Sequence, residues 1–287
     1  MSGAGDFLAG MAASSRARSA AAQAALPARE LRARIAGLPA APRLRLSNFD
    51  LIAEVKLRSP AVGQLRVAAE EDVGARVATY ARAGAAAVSI LTEPSRFDGS
   101  LEDLEEGSRA LAPLAVPAMR KDFLVDGYQV LEGRLAGASG VLAILRMLPR
   151  ADLEELIDTA LGLEMFVLLE AFDVPDIELA QALVDARRAH RDLLLVGVNS
   201  RDLSTLKVVP GRLDELASAL PREVRRVAES GVATAADAAR VAAAGYDLAL
   251  VGSALMSAAE PAQLAGAMLA EGRAAVAARA TAAGGQA

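Results

Sequence analysis

The chain has 287 residues, 53% of them hydrophobic, and a formal net charge of −5. That size and apolar content suit one large α/β domain or two smaller ones, while the acidic balance and the lack of any basic cluster interleaved with aromatics argue against nucleic acid as a partner. Cysteine is absent, which removes disulfides, thiolate nucleophiles and zinc-thiolate sites, and the one histidine, His190, lies in the charged stretch Arg187-Arg188-Ala189-His190-Arg191, which argues against a Ser-His-Asp triad or a histidine metal centre.

In chain order, Ala12–Ala25 and Ala28–Ile35 read as helices broken by Pro27, and Pro39–Pro42 leads toward the first strand-like run. In a barrel such an extension covers one end or lengthens the rim of a site. From residue 49 onward, eight short apolar runs of strand length appear: Phe49–Val55, Ala86–Leu91, Val116–Met119, Val141–Leu145, Met165–Leu169, Leu193–Val198, Val224–Ala228 and Asp247–Val251. Between them lie patterns with helical spacing, such as Val73–Ala83, Leu101–Leu111, Ala151–Leu161, Ile177–Ala189 and Ala235–Ala244. Two of these close on Gly84 and Gly245, a helix stop signal. Strands alternating with helices imply parallel pairing through right-handed crossovers, and eight such units over residues 49–280 predict a single (β/α)8 TIM barrel. A doubly wound open sheet is the competitor, but no glycine-rich dinucleotide fingerprint follows the first strand. Pro261–Ala280 reads as the last helix and residues 281–287 as a frayed tail. No apolar run reaches membrane-spanning length and no compact apolar signal core opens the chain, so the expectation is a soluble cytoplasmic protein.

The lysines are informative because they are scarce. Three occur, leaving 28 of the 31 basic residues as arginine. Lys207 stands in a polar stretch and reads as ordinary surface charge. Lys56 and Lys121 each end an apolar strand-like run, where an ammonium that loses water can exchange a proton near neutral pH and a guanidinium cannot. Barrels place their sites at the C-terminal ends of the strands. Collected there are Glu54 and Lys56, two apart and so on one face, then Lys121, Glu170, Asn199 with Arg201, Glu229-Ser230-Gly231 and Gly252-Ser253. Any one of these alone reads as a solvated strand end. Acid, ammonium and amide groups converging from six strands read as acid–base machinery. Gly231 ahead of a helix near Thr234, and Gly252-Ser253 ahead of a helical turn at Ala254–Ala258, predict a phosphate site built from amides at helix N-termini.

These residues resemble the indole-3-glycerol-phosphate synthase family of tryptophan biosynthesis. Leu51-Ile52-Ala53-Glu54-Val55-Lys56 with Ser59-Pro60 resembles its first-strand signature. Leu91-Thr92-Glu93 with Phe97 and Gly99-Ser100 is similar to its second loop, and Arg120-Lys121-Asp122-Phe123 with Asp126 and Tyr128-Gln129 to its third. Glu170, the run from Asn199 to Leu203, Glu229-Ser230-Gly231, Val251-Gly252-Ser253 and Leu255-Met256 complete the set in order, and the helical extension also matches. The chain departs at Ala61, where members often carry a second serine, at the apolar Ala171-Phe172-Asp173, and in a longer segment around Arg187–Asp192.

The resemblance implies a lyase, more closely a decarboxylase of aromatic amino-acid biosynthesis. It would convert 1-(2-carboxyphenylamino)-1-deoxyribulose 5-phosphate to indole-3-glycerol phosphate with loss of carbon dioxide and water, and no metal or organic cofactor is called for. It implies Lys121 as the group that protonates the ketone oxygen, and Lys56 with Glu54, together with Glu170, as the acid and base for loss of the hydroxyl. Asn199 and Glu229 would orient substrate hydroxyls and hold the ammonium groups, with Arg201 and Ser230 supporting the pocket. Phe97, Phe123, Leu142 and Leu203 would grip the anthranilate ring beside Pro60, while Ser59, Gly231, Gly252 and Ser253 would take the phosphate. The partner implied is this small molecule, with no nucleic acid and no membrane. Two other readings stand beside it: another phosphosugar barrel such as phosphoribosylanthranilate isomerase or a histidine-pathway isomerase, which fits the two lysines poorly, and a barrel kept as a non-catalytic scaffold, which has no reason to keep them.

Overall fold

A computed structural model describes residues 4–67, 71–203 and 205–284. Eight strands, β1 (Asp50–Val55), β2 (Ala87–Leu91), β3 (Ala118–Lys121), β4 (Gly140–Ile144), β5 (Phe166–Ala171), β6 (Leu194–Asn199), β7 (Arg225–Glu229) and β8 (Leu248–Val251), pair in parallel and in chain order, and β8 returns to β1 to close the barrel. A two-stranded hairpin, Arg58–Ser59 with Gly63–Gln64, rises after β1. The helices are α1 (Ala4–Ala25), α2 (Ala28–Ile35), α3 (Val73–Arg82), α4 (Pro94–Phe97), α5 (Leu101–Leu111), α6 (Gly127–Leu135), α7 (Arg150–Gly162), α8 (Val174–Ala186), α9 (Arg212–Leu216), α10 (Ala235–Ala244), α11 (Ser253–Ser257) and α12 (Pro261–Gly284). This is a (β/α)8 TIM barrel.

Local chemistry sets where the helices begin and end. Asp72, Ser100, Asp126, Asp173 and Thr234 cap α3, α5, α6, α8 and α10 by accepting a hydrogen bond from a first-turn amide. Gly84 and Gly245 follow α3 and α10 in the left-handed conformation, at φ of 98° and 113°, which a β-carbon would oppose.

The pleat divides each strand's side chains between two cores. Ile52, Met119, Leu142, Leu168, Leu195, Val227 and Leu248 point inward and form one apolar cluster. Leu51, Val88, Val141, Val167, Val196 and Ala249, one residue out of phase, pack against the surrounding helices in the other. Glu54, Lys121, Glu170, Asn199 and Glu229 keep the inward phase and so stand as a further layer at the C-terminal end of the barrel interior.

The N-terminal extension touches both ends of this stack. Leu8 and Met11 of α1 join the inward cluster, and Phe7 meets Phe123 edge-on at 5.9 Å between ring centroids. Arg18 of α1 donates twice to Asp122, at 2.9 and 2.7 Å. α2 lays Leu31 and Ile35 on Tyr128 and Leu131 of α6, and Leu44 and Leu46 then pack beneath the barrel beside Leu194, Val224 and Asp247.

Several boundaries move from where the apolar runs put them. β3 spans Ala118–Lys121 rather than Val116–Met119, because Pro117 has no N–H to give the ladder and the pairing continues to Lys121 against Leu91. α8 ends at Ala186, and residues 188–193 form a 3₁₀ turn into β6. α12 runs to Gly284, so residues 281–284, read as tail from the sequence, are helical, while 285–287 lie outside the described residues. Among the described residues no helix is long and apolar enough to cross a membrane.

Candidate active site

The charged layer forms the floor of a pocket of about 310 Å³ at the C-terminal end of the barrel. All of the site residues expected from the sequence line it: Glu54, Lys56, Ser59, Pro60, Phe97, Lys121, Phe123, Leu142, Glu170, Asn199, Arg201, Leu203, Glu229, Ser230, Gly231, Gly252 and Ser253. Two inward glycines make room for the carboxylates. A β-carbon at Gly197 would overlap Oε1 of Glu229, and one at Gly252 would overlap Oε1 of Glu54 and stand 2.8 Å from Nζ of Lys56.

On the floor, Lys56 Nζ lies 2.6 Å from Glu54 Oε1. Lys121 Nζ is held more loosely, 3.6 Å from Glu170 Oε1 and 4.0 Å from Glu54 Oε2. Asn199 donates from Nδ2 to Glu170 Oε1 at 3.0 Å, and its own Oδ1 accepts the Arg201 amide at 2.9 Å, which fixes the orientation of the side chain. Glu229 is 1% exposed, and neither of its carboxyl oxygens has a hydrogen-bond partner.

Burial penalises every charge here, and the neighbours decide the net direction. For Glu54 the burial penalty is outweighed by Lys56 and Lys121, which hold its carboxyl below the ordinary range. For Glu229 burial dominates, Glu170 adds to it, and Lys121 offsets only part, so its pKa is pushed well up. Burial alone would lower that of Lys121, but Glu170, Glu54 and Glu229 overcome it and raise it. Loss of water alone would ease release of the Lys121 proton, as the sequence reading has it, but the facing carboxyls, Glu170 first, shift it the other way and favour the ammonium form. Arg201, with Nη1 donating to the Leu206 carbonyl at 2.6 Å, is shifted down by its half-burial, which Glu54 opposes.

The far side of the pocket is made of backbone and hydroxyls. Ser230 and Gly231, after β7, both take left-handed φ values of 63° and 76°, and the Ser230 carbonyl accepts from Ser200 Oγ at 3.0 Å. Gly231, Val232 and Ala233 line the pocket here, after the strand that pairs with the one leading to Gly252, Ser253 and Ala254. The hydroxyl of Ser253 is buried without a partner. One expectation changes. The N-terminus of α10 is closed by its own capping box, in which Asp237 accepts from the amides of Ala233 and Thr234 and Thr234 accepts from that of Asp237. Those amides are spent within the protein, which leaves the turns at Gly231 and Gly252 to face a ligand.

The apolar wall includes residues the sequence reading left out. Phe97 lies 6.2 Å from Phe123 between centroids, and Phe7, Leu91, Ile144 and Leu250 complete the surface. Ile144 and Leu250 were readable, since they keep the inward phase of Leu142 and Gly252. Phe7, on a helix more than a hundred residues away in sequence, gave no such signal. Asp122 also lines the pocket, but its oxygens are taken by Arg18, Thr92 and the Phe123 amide.

A solved structure of thiamine phosphate pyrophosphorylase from Pyrococcus furiosus superposes with a TM-score of 0.58 at 14% identity, covering 80% of this chain and 98% of that one, a likeness of fold alone. Similarity in sequence reaches further. The indole-3-glycerol phosphate synthase of Nocardioides sp. is 42% identical over 221 residues, 77% of this chain and 80% of that protein. That of Mycobacterium leprae is 37% identical over 250 residues, 86% and 87% of the two chains. The family model of indole-3-glycerol phosphate synthase matches residues 11–268, which takes in every strand of the barrel and the whole charged floor, and the chain belongs to that family.

Proposed function

We propose that this pocket carries out the family's carboxy-lyase reaction, closing 1-(2-carboxyphenylamino)-1-deoxyribulose 5-phosphate to indole-3-glycerol phosphate with release of carbon dioxide and water. The observation that carries the reading is the floor itself: two ammonium groups and three carboxyl groups from four strands, in one pocket with the apolar side chains of Phe97, Phe123, Leu142 and Leu203.

The chemistry assigns the parts. A ring carbon attacks the ketone, so negative charge develops on the ketone oxygen, and Lys121, held as ammonium by its carboxylates, stabilises and protonates that oxygen. Loss of carbon dioxide then restores the aromatic ring. Departure of the hydroxyl needs a proton on the same oxygen and a base for the methylene carbon beside the nitrogen. Glu170, oriented by Asn199, takes the base role. Lys56, fixed by Glu54, and Arg201 offer positive charge to the substrate carboxylate. Phe97, Phe123, Leu142 and Leu203, joined by Phe7 and Ile144, hold the ring, with Pro60 and Ser230 at the edges. Ser59, Gly231, Gly252 and the unpartnered hydroxyl of Ser253 receive the phosphate.

The chain contains no tryptophan, so indole emission after mixing protein and substrate comes from product alone. Its appearance at a rate proportional to enzyme supports the reading. A folded protein that yields no indole from this substrate, or that instead isomerises the phosphoribosyl anthranilate precursor, overturns it.

A further inference from the structure

The turn that follows β7 carries backbone strain at the edge of the pocket. Ser230 and Gly231 both stand in the left-handed region, at φ of 63° and 76°. Glycine adopts that conformation freely, but the β-carbon of a serine opposes it. A residue other than glycine persists there only when its surroundings hold it. Ser200, 1% exposed at the end of β6, supplies the hold. Its backbone is fixed on both sides: its amide donates to the Glu229 carbonyl at 2.9 Å, and its carbonyl accepts from the Val209 amide at 2.8 Å. From that fixed point its hydroxyl donates to the Ser230 carbonyl at 3.0 Å. A β-carbon on Gly231 would stand 3.1 Å from the same hydroxyl oxygen and 3.1 Å from Val208, closer than ordinary contact, so the turn is packed directly onto these two side chains.

The direction of the Ser230 carbonyl decides what the pocket meets. The Ser230–Gly231 peptide is trans, and in a trans peptide the carbonyl and the following N–H point opposite ways. With the carbonyl turned onto Ser200, the Gly231 N–H is turned away from it. That N–H has no hydrogen-bond partner among the described residues, and Gly231 lines the pocket.

We propose that Ser200 is a positioning residue for the phosphate: by holding the Ser230 carbonyl it turns the Gly231 amide toward the pocket, where that amide donates to a phosphate oxygen of the substrate. The proposal rests on the placement of the phosphate given above and adds the group that builds its cradle. Ser200 stands behind the pocket lining and acts through the turn. It also joins that turn to the loop after β6, which is tied to it by the Val209 amide and by the bridge between Arg201 and Val208. The loop brings Leu203, Leu206 and Val208 to the pocket. One buried hydroxyl therefore sets the phosphate turn against the apolar side of the same cavity.

The test is Ser200→Ala, which removes the hydroxyl and leaves the Ser230 carbonyl without a donor. Inorganic phosphate serves as the probe of the turn and anthranilate as the probe of the apolar wall, each titrated by calorimetry, with kcat and KM followed through indole emission. The expected result is phosphate binding weaker by about 5- to 10-fold, the scale of one neutral hydrogen bond, and a matching rise in KM. Anthranilate binding and kcat should stay at the wild-type values, because the lost interaction is made equally in the ground and transition states. Equal weakening of both probes, a fall in kcat with KM unchanged, or no change at all overturns the proposal. Calorimetry needs no turnover, so the two readings fail separately. Wild-type protein that makes no indole from the substrate overturns the ring-closing reading, whereas a variant that binds phosphate as the wild type does overturns the role of Ser200. Should the variant not fold, amide NMR spectra of the wild type decide: a downfield shift of the Gly231 N–H on adding inorganic phosphate supports the proposal, and an unmoved signal overturns it.

Discussion

The two ends of the barrel use one strand pattern for opposite purposes. At the N-terminal end, Leu44 and Leu46 pack beneath the inward apolar side chains. Two carboxylates there are saturated: Asp50 accepts from the Ser47 amide at 2.5 Å, its hydroxyl at 2.8 Å and Arg273 at 3.0 Å, and Asp247 accepts from the Arg226 amide at 2.9 Å and its guanidinium at 3.2 Å. At the C-terminal end the same inward phase carries Glu229, with unmet hydrogen bonds, and Lys121, with no ion pair closer than 3.6 Å, and past β8 the hydroxyl of Ser253 is likewise without a partner. Buried polar atoms that find partners inside the chain contribute to folding, whereas those left without are available to a ligand. The contrast teaches that a strand-end charge is to be judged by whether its hydrogen-bonding capacity is already spent. Substitutions at the two ends should therefore separate turnover from stability.

The largest separation is expected at Lys121. Lys121→Arg keeps the charge among the three carboxyls but replaces an ammonium with a guanidinium that does not deprotonate. Turnover should fall roughly 10²–10⁴-fold, the usual scale of a lost proton donor, with little change in melting temperature. Exposed Lys207→Arg serves as the control and should leave turnover alone. If Lys121→Arg keeps most of its activity, the floor acts through charge alone and the proton comes from Lys56 or water.

A smaller effect should follow from Ser253→Asp, which sets a carboxylate where the unpartnered hydroxyl faces the pocket. Like charges in contact cost several kcal/mol, so KM should rise on the order of 10²-fold, with the stability of the free protein little changed. An unchanged KM would move the phosphate away from the Gly252 turn.

Asp50 and Asp122 should behave alike although they stand at opposite ends, and this sharpens the contrast, because both are saturated. Asp50→Ala should cost about 2 kcal/mol in chemical denaturation with normal turnover of the folded enzyme, as hydrogen bonds to a charged group are lost. Asp122 is opposed by burial, but Arg18 and Arg120 hold its carboxyl below the ordinary range. A depressed native value gives stability that is present above the ordinary aspartate range and is lost as pH falls through the depressed value. Asp122→Asn should therefore flatten the acid limb of stability against pH. A limb as steep as in the wild type would show that the Arg18 pair carries no such linkage.

The parts of the molecule legible in the sequence share a physical cause. Strands such as Leu194–Asn199 and Phe166–Ala171, buried on both faces, read as short apolar runs, and their polar last residues marked the site. α6 stayed out of the periodic set because it has no exposed face of the usual width: Tyr128, Gln129, Val130, Leu131, Gly133 and Arg134 are all buried, with the N-terminal extension packed on it. A helix covered on most sides shows no amphipathic stripe. Phe7 and Arg18 could not be placed for a different reason. Their partners, Phe123 and Asp122, lie across more than a hundred residues, and no local pattern on an alanine-rich helix encodes that contact.

The smallest effect is expected where the chain is longer than its resemblance suggested, in the segment from Arg187 to Asp192. It enters β6 from the N-terminal end of the barrel as a 3₁₀ turn, and Arg191 and Asp192 border the groove beside Leu44 and Leu46, across the barrel from Lys121. Arg187 anchors it by two hydrogen bonds to Asp158, at 2.6 and 2.9 Å, and Asp158 is largely exposed, so the pair is screened and contributes little. Loop closure changes by only about 0.6 kcal/mol for each doubling of length. Removing two residues from 188–191 while keeping Arg187 should thus cost about 1 kcal/mol at most and leave kcat and KM as they were. Fusion sites and insertions should be tolerated there for the same reason. A folded shortened protein that has lost turnover would mean that the N-terminal end of β6 transmits strain along the strand to Asn199, and the division between the two ends would then be one of degree.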